Sequence, residues 1–447
     1  HRPTHPPRPP PRLQLPHPAT TRPHPPEGLE AMIDHSRHQG TPGRGAYAEA
    51  SQTRNLLTRC RERLNAFIDG DDPNHIIFTL NTTDAMNLAI WGTLTHRLDH
   101  AAASSPIEVV TSELDHNSAL RPFNALAERF PGRVVQKRAR FNADTGRIDL
   151  DHLSSLISPA TALVAVIHAS NVTGVLQDAA HIARIIRARS DNRALFLLDA
   201  AQSLGHVPIS VRDADVDLLA MPGHKGLLGP TGTGVLYIRP GVERLMLTVR
   251  QGGTGFRSEL EQMPDFLPDR FEPGSHNAVG IAGLSEGIAY LQRAGMPAVV
   301  RHEAELTNML LDGLSALAPL GVRVLSPAAR ALNPVDSASV GRVGVVSFTH
   351  DTIPAATLGD LLERDHNILS RAGLHCAPAA HTTLGTRETP GALGAARLSV
   401  GPFNTPSDIR AAIAAVTTIC EQAAAGPDAS HHVQPRDRTP RTHAPAH

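Results

Sequence analysis

Long apolar runs, a cysteine framework and a surplus of either charge are all missing from this 447-residue chain. No stretch approaches the ~18 consecutive apolar residues that mark a membrane-spanning helix, so no membrane span is expected. Its three cysteines, Cys60, Cys376 and Cys420, are scattered and give neither a disulfide framework nor a zinc pattern. Such sparse usage fits a reducing, cytoplasmic compartment, and no metal ligand set is expected. The formal net charge is −1, which removes any electrostatic case for binding nucleic acid or an anionic membrane. The remainder is ordinary globular material, 41% apolar and 19% charged, with enough length for two or more domains.

The two ends differ from the middle. Residues 1–26 hold 11 prolines among Arg and His, and residues 426–447 are similarly polar and proline-containing. Neither segment buries enough apolar surface to offset its chain entropy, so both are expected to be disordered. The N-terminal segment lacks the apolar core of a secretory signal, and its prolines forbid the amphipathic helix of a transit peptide. The chain opens on His rather than Met, so a start further upstream is expected.

From residue 76 to residue 238, short apolar runs alternate with helical patterns. Strands are expected at 76–80, 108–112, 162–168, 195–199, 217–221 and 234–238, and helices at 84–95, 118–129 and 178–188. Alternation of this kind reads as a mostly parallel sheet covered on both faces, an α/β architecture. Helices at 279–293 and 299–317 lead to a strand-poor block with strands at 343–350 and 396–400 and helices at 355–364 and 406–424. That block reads as a smaller α+β domain. The expected division is a large domain over 27–298 and a small one over 299–425.

Two of the apolar runs end on polar groups. Leu195 to Leu198 ends at Asp199, and Leu218 to Met221 ends at Pro222-Gly223-His224-Lys225. A lone loop lysine is ordinarily a surface group. Here it is paired with a carboxylate at a strand's carboxyl end, where open α/β sheets bind ligands. Glycines on both sides allow close backbone approach. Pyridoxal phosphate needs this pair, an amine for its aldehyde and a carboxylate to keep its ring nitrogen protonated. Asn81-Thr82-Thr83-Asp84 follows a strand and opens a helix, which makes either a plain cap or an anion site built from free N–H groups and two hydroxyls.

DAAQSLGH at 199–206 and GHKGLLGPTGTGVLYI at 223–238 together resemble the class V aminotransferase family of fold-type I pyridoxal-phosphate enzymes. The cysteine desulfurases and selenocysteine lyases are the nearest members, over about Leu15 to Gln422. The resemblance implies a seven-stranded, mostly parallel sheet in the large domain. It implies that Thr82 and Thr83 hold the cofactor phosphate with His224, that His116 stacks on the ring and shuttles protons, that Gln202 contacts the ring oxygen, and that Asn171 bonds near the ring oxygen and binds the substrate. Ser275, in RFEPGSHN, would reach the phosphate of a neighbouring subunit in a homodimer. Arg397, in RLSVGPFN, would bind the substrate carboxylate, and its guanidinium fork suits that partner.

The segment from Arg371 to Ala377, R-x-G-x-H-C-A, resembles the active-site segment of group II cysteine desulfurases. It implies that L-cysteine or selenocysteine is the substrate, that Lys225 moves the Cα proton and that Cys376 takes the sulfur as a persulfide, with alanine released and an acceptor protein downstream. A cation such as His375 is expected to favour the thiolate. Selenocysteine lyase, C–S lyase and aminotransferase activities are the alternatives within the same family. Three departures from the family pattern stand out: Pro222 where Ser is usual, Leu374 where His is usual, and an atypical segment at 15–21. The usual turn is kept at 41–45.

Overall fold

The computed structural model describes residues 24–38, 40, 47–102, 105–255, 259, 261–325, 341–387 and 393–425. The segment 15–21, the turn 41–45 and the tail 426–447 lie outside the described residues, as does the N-terminal segment up to residue 23.

In chain order, α1 (Pro26–Arg37) and α2 (Ala48–Phe67) precede β1 (Ile76–Thr79), α3 (Thr82–His100), β2 (Ile107–Ser112) and α4 (Asn117–Arg129). Next come β3 (Val134–Ala139), α5 (Leu150–Leu156), β4 (Thr161–Ile167), α6 (Ala179–Arg189), β5 (Leu195–Asp199), β6 (Leu218–Pro222) and β7 (Gly234–Ile238). These seven strands form one sheet in the order β1-β7-β6-β5-β4-β2-β3, in which β7 alone runs against the others. Interior strands such as β4, Thr-Ala-Leu-Val-Ala-Val-Ile, are buried along their whole length, as strands covered on both faces must be. β3 was not among the expected strands. It is the sheet's edge, and its Gln136, Lys137 and Arg138 break the apolar run that marks the others.

Side-chain alternation divides the core. Ile77, Val109, Leu163, Leu195, Leu197 and Leu218 pack on one face against Met86 and Ala89 of α3 and Phe123 and Leu126 of α4. Phe78, Val110, Val164, Phe196, Leu198 and Leu219 pack on the other against Leu64 of α2, Ile182 of α6 and Leu284 of the next helix. Asp199 has the parity of Leu195 and Leu197. Its side chain therefore emerges at a strand's carboxyl end on the face where α3 and α4 begin.

α7 (Ala278–Ala294) and α8 (Met296–Ser315) follow. α8 crosses position 298/299: Val299 packs in the large core, whereas Leu306, Leu310 and Leu314 join a separate cluster. Around that cluster lie β8 (Val322–Val324), β9 (Val345–His350), α9 (Ala355–His366), β10 (Arg371–Gly373), β11 (Ala395–Ser399) and α11 (Pro406–Ala425), while α10 (Pro378–Thr383) packs through Ala380 in the large core. Their antiparallel sheet has the order β10-β11-β9-β8. Ala396 and Leu398 of β11 face its own core, so Ala395 and Arg397 face the large sheet. Ser347 of β9 shares the register of Arg397 and donates its hydroxyl to Val172 O at 2.6 Å. The small sheet is thus docked on the loop after β4, and Arg397 points there.

Candidate active site

Lys225 follows β6 on a loop that touches the loop after β5 backbone to backbone. Gly205 has φ +85° and lies against the carbonyl of Gly226, and a Cβ on Gly226 would strike Leu204 O. Only glycine fits both positions. Beside Lys225, Asp199 is buried and its Oδ1 accepts from Ala201 N–H at 2.9 Å. Burial raises the Asp199 pKa, against the pull of that hydrogen bond and of Lys225. Lys225 is brought down to about 8, first by burial and then by Arg397 and Arg371, while Asp199 opposes the shift. Adjacent His224 is lowered to about 4 by burial and by Lys225.

At the start of α3, Asn81 is the capping residue, with its side chain accepting from Asp84 N–H at 3.0 Å. The helix begins at Thr82, two residues earlier than expected, so Thr82 and Thr83 occupy its first two positions. Thr82 is buried and Thr83 exposed. Gly234 lies against the backbone of Asn81, where a Cβ would collide, and this contact seats the α3 N-terminus against β7. Asp84 accepts from Leu80 N–H at 2.8 Å and pairs with Arg250 at 3.2 Å. Exposed Ser275 lies on a segment fixed by Glu272. That carboxylate accepts from Phe78 N–H at 2.5 Å and is gripped by both Nη atoms of Arg61 at 2.7 and 2.6 Å.

Arg397 is fully buried. Its Nη1 donates to Asn171 O at 2.7 Å, and its Nε and Nη2 have no hydrogen-bond partner among the described residues. Asn171 itself donates through Nδ2 to His375 O at 2.5 Å. The Cys376 carbonyl accepts from Asn117 N–H, at the start of α4, at 2.8 Å. Between these two anchors His375 and Cys376 both take left-handed conformations, φ +51° and +59°. Two adjacent non-glycine residues there store strain of about 1–3 kcal/mol each. The turn presents Cys376 to solvent.

His375 is not the cation at the sulfur. It is buried, and burial with Arg397 and His381 nearby holds its pKa well below the ordinary value, so it is neutral. The cation is Arg371, whose Nη2 reaches Cys376 Sγ at 3.4 Å and whose backbone pairs with Arg397 across β10 and β11. A proton-shuttling His116 also meets a different environment from the one expected. It caps α4, its Nδ1 accepting from Ser118 N–H at 3.0 Å, and burial plus Lys225, Arg371 and Arg397 bring its pKa to about 3.

Among the residues singled out in the sequence, Lys225, Asp199, His116, Cys376 and Arg397 lie within electrostatic reach of one another. Lys225 senses Asp199, Arg397, Arg371 and Cys376, and His116 senses Lys225 and both arginines. Arg371 was read only as part of a pattern, and Asp115 was overlooked. Asp115 is 1% exposed and lies three residues past β2, so it carried no signal like that of Asp199, which ends its own apolar strand.

A pyridoxal phosphate fits this donor set. Asn171 Oδ1, Gln202 Oε1, His224 Nδ1 and the two free Arg397 donors are buried polar atoms without a hydrogen-bond partner among the described residues. Such atoms are costly unless a ligand satisfies them. Among the described residues no group of His, Cys, Asp and Glu could hold a metal ion, and no helix is long and apolar enough to cross a membrane.

Residues 15–411 match the model of the family described as aminotransferase class-V. A probable cysteine desulfurase of Methanothermobacter thermautotrophicus is 32% identical over 397 residues, covering 88% of this chain and 91% of its own. A second, from Mycobacterium leprae, is 31% identical and covers 84% of each chain. Among solved structures, a cysteine desulfurase from Thermococcus onnurineus superposes with a TM-score of 0.77 at 28% identity, over 92% of this chain and 94% of that one. The cysteine desulfurase CsdA of Escherichia coli gives 0.76 at 25% identity, over 92% and 95%. With a family match across most of its length and relatives above 30% identity, the chain belongs to the class V aminotransferase family.

Proposed function

We propose that the protein is a pyridoxal-phosphate-dependent cysteine desulfurase that converts L-cysteine to L-alanine and takes the sulfur as a persulfide on Cys376. One observation carries this reading. Cys376, with Arg371 at its sulfur, acts electrostatically on the same Lys225 that senses Asp199 and Arg397. Nucleophile, amine, carboxylate and guanidinium therefore share one site.

Bound there, pyridoxal phosphate would supply an electron sink for the charge that develops at the substrate Cα. The other tasks fall to side chains of this protein. Lys225 would hold the cofactor through Nζ and take the substrate Cα proton on the same atom; a pKa of about 8 suits a base working near neutral pH. Asp199 holds the ring-nitrogen proton, and Gln202 and Asn171 approach the ring oxygen. Thr82, Thr83, His224 and the first N–H groups of α3 hold the phosphate. His116, neutral and fixed through Nδ1, would lie against the ring and offer Nε2–H. Arg397 uses its free Nε and Nη2 for the substrate carboxylate, while Asn171 O holds Nη1. Cys376 Sγ then attacks the substrate sulfur. An S–S bond forms and the C–S bond breaks with its electron pair going to the substrate carbon side; one proton added at Cβ and the proton returned from Lys225 to Cα then leave alanine. A reductant or an acceptor protein removes the outer sulfur.

The same reading extends to assembly and location. Exposed Ser275 would complete the phosphate site of a partner subunit in a homodimer. A thiol that must return to its reduced form fits the cytoplasm. Residues 27–298 and 299–425 would act as two domains, the second supplying Arg371, Cys376 and Arg397.

Incubating the cofactor-loaded protein with L-cysteine, with and without reductant, tests this reading. Equal amounts of alanine and sulfide are expected with reductant, and one added sulfur on Cys376 without it. Full sulfur release by Cys376→Ser would refute the reading, as would a visible absorption band that survives Lys225→Ala.

A further inference from the structure

Asp115 is a buried carboxylate beside the site that the reading above does not use. The chain runs outward from β2 to β3 and returns to β4 on the far side of β2, so β2 and β4 flank the point where strand order reverses. Open α/β sheets bind ligands at the carboxyl ends of such a pair. β2 and β4 pair from Glu108 to Val110 and from Thr161 to Val164, and both strands then continue, to Ser112 and Ile167. Even-numbered residues of β2 turn their backbone toward β4, as Glu108 N–H does in donating to Ala160 O. Ser112 N–H therefore points into the split. Ile167 N–H points into it from the other side, because the next residue, His168, donates across to Asp199 O on β5.

Asp115 takes both donors. Its Oδ2 accepts from Ser112 N–H at 2.5 Å and from Ser112 Oγ at 2.9 Å, and its Oδ1 accepts from Ile167 N–H at 2.6 Å. Ile167 is the register partner of Asp199, and His116 is the next residue in the chain. The two carboxylates sense one another: burial brings the Asp115 pKa up to about 7 and Asp199 pushes in the same direction.

We propose that Asp115 is a positioning residue of the cofactor site, a carboxylate wedge in the split between β2 and β4 that sets Asp199 and His116 and adds a second buried negative charge acting on the ring through Asp199. This inference rests on the pyridoxal-phosphate reading.

The test is a pH titration of the visible absorption band of the protein loaded with pyridoxal phosphate. Asp115→Asn keeps the shape and removes the charge. Its midpoint is expected to fall by about half a pH unit or more, because a lost negative charge disfavours the protonated, cationic chromophore. In an Asp199→Asn background the same change should move the midpoint no further. An unchanged midpoint in Asp115→Asn, with or without a loss of thermal stability, overturns the proposal, and so does an equal shift in both backgrounds. Should Asp115→Asn not fold, Ser112→Ala carries the test. It withdraws one donor from the carboxylate, so a smaller shift in the same direction is expected and no shift refutes the role. A wild-type protein that gains no visible band would defeat the cofactor reading and this inference together, whereas a normal wild-type titration with unmoved variants defeats this inference alone.

Discussion

Arg397→Met is expected to stabilise the cofactor-free protein while abolishing tight substrate binding. Arg397 is fully buried, uses one donor on Asn171 O and lies across the strand pair from a second guanidinium, Arg371. Burial and Arg371 bring its pKa to about 9, so it is still charged at neutral pH. Replacing a buried charge by an apolar side chain of similar volume is often neutral or stabilising by about 1–4 kcal/mol. Loss of the hydrogen bond to Asn171 O costs about 1 kcal/mol. The net gain is about 2 kcal/mol, read as a rise in Tm of about 2–4 °C. The substrate side has the opposite sign. A two-pronged, charge-assisted pair with the carboxylate is worth about 2–5 kcal/mol, and each 1.4 kcal/mol is about tenfold, so KM for cysteine should rise by about 30-fold or more. Thermal melts of the cofactor-free protein and alanine-release kinetics of the loaded protein measure the two sides. A fall in Tm of several degrees together with an unchanged KM would refute the assignment, because Arg397 would then be a structural ion.

Arg371→Leu removes the cation at Cys376 Sγ, and alkylation of Cys376 by iodoacetamide should slow several-fold with the visible cofactor band retained; an unchanged rate would separate Arg371 from the thiol's reactivity. Lys225→Met should stabilise the cofactor-free protein most below pH 8, where wild type must bury an ammonium. Because the folded pKa is lowered from 10.5 to about 8, that advantage should shrink as pH rises between those values, and a pH-independent difference in melting would contradict the shift. Glu272→Gln leaves Arg61 buried without its carboxylate, and the urea midpoint should fall in step with a loss of about 3–5 kcal/mol. A midpoint within error of wild type would show that the pair does not hold the Ser275 segment.

The sheet was legible where burial on both faces makes strands continuously apolar. β4, β5, β6 and β7 stand where their apolar runs lie. β3 was illegible because an edge strand tolerates Gln136, Lys137 and Arg138. β10 was illegible because three residues carry no periodicity, and its place is set by pairing with β11, about 25 residues on. α2 hid for another reason: its sequence, AEASQTRNLLTRCRERLNAF, is dominated by polar residues and buries only a thin stripe through Leu57, Cys60 and Leu64. In the site, residue types were legible but charge states were not. His375 was the cation expected from the sequence, and only burial decides that its imidazole is neutral, while Arg371 is the guanidinium that reaches the sulfur. Asp115 was missed because its partners, Ser112 N–H and Ile167 N–H, belong to two strands that the sequence does not show to be neighbours.

Asn171 explains how the two halves of the site stay in register. Its backbone carbonyl holds Nη1 of Arg397, and its side chain holds the His375 carbonyl one residue before the nucleophile. The same loop accepts Ser347 Oγ at Val172 O and an Arg342 guanidinium at Thr173 O. Three consecutive residues after β4 therefore clamp the small sheet by side-chain donors from that sheet and its approach. In return the Cys376 carbonyl caps the first N–H of α4, directly after His116. The left-handed turn at His375 and Cys376 is closed by Ala377 N–H donating to Leu374 O at 2.9 Å and is flanked by both anchors. Any movement of the small sheet away from the loop after β4 would loosen Arg397 and Cys376 together. On the proposed reading, recognition of the substrate carboxylate by Arg397 and presentation of the Cys376 thiol would be coupled through this one short loop.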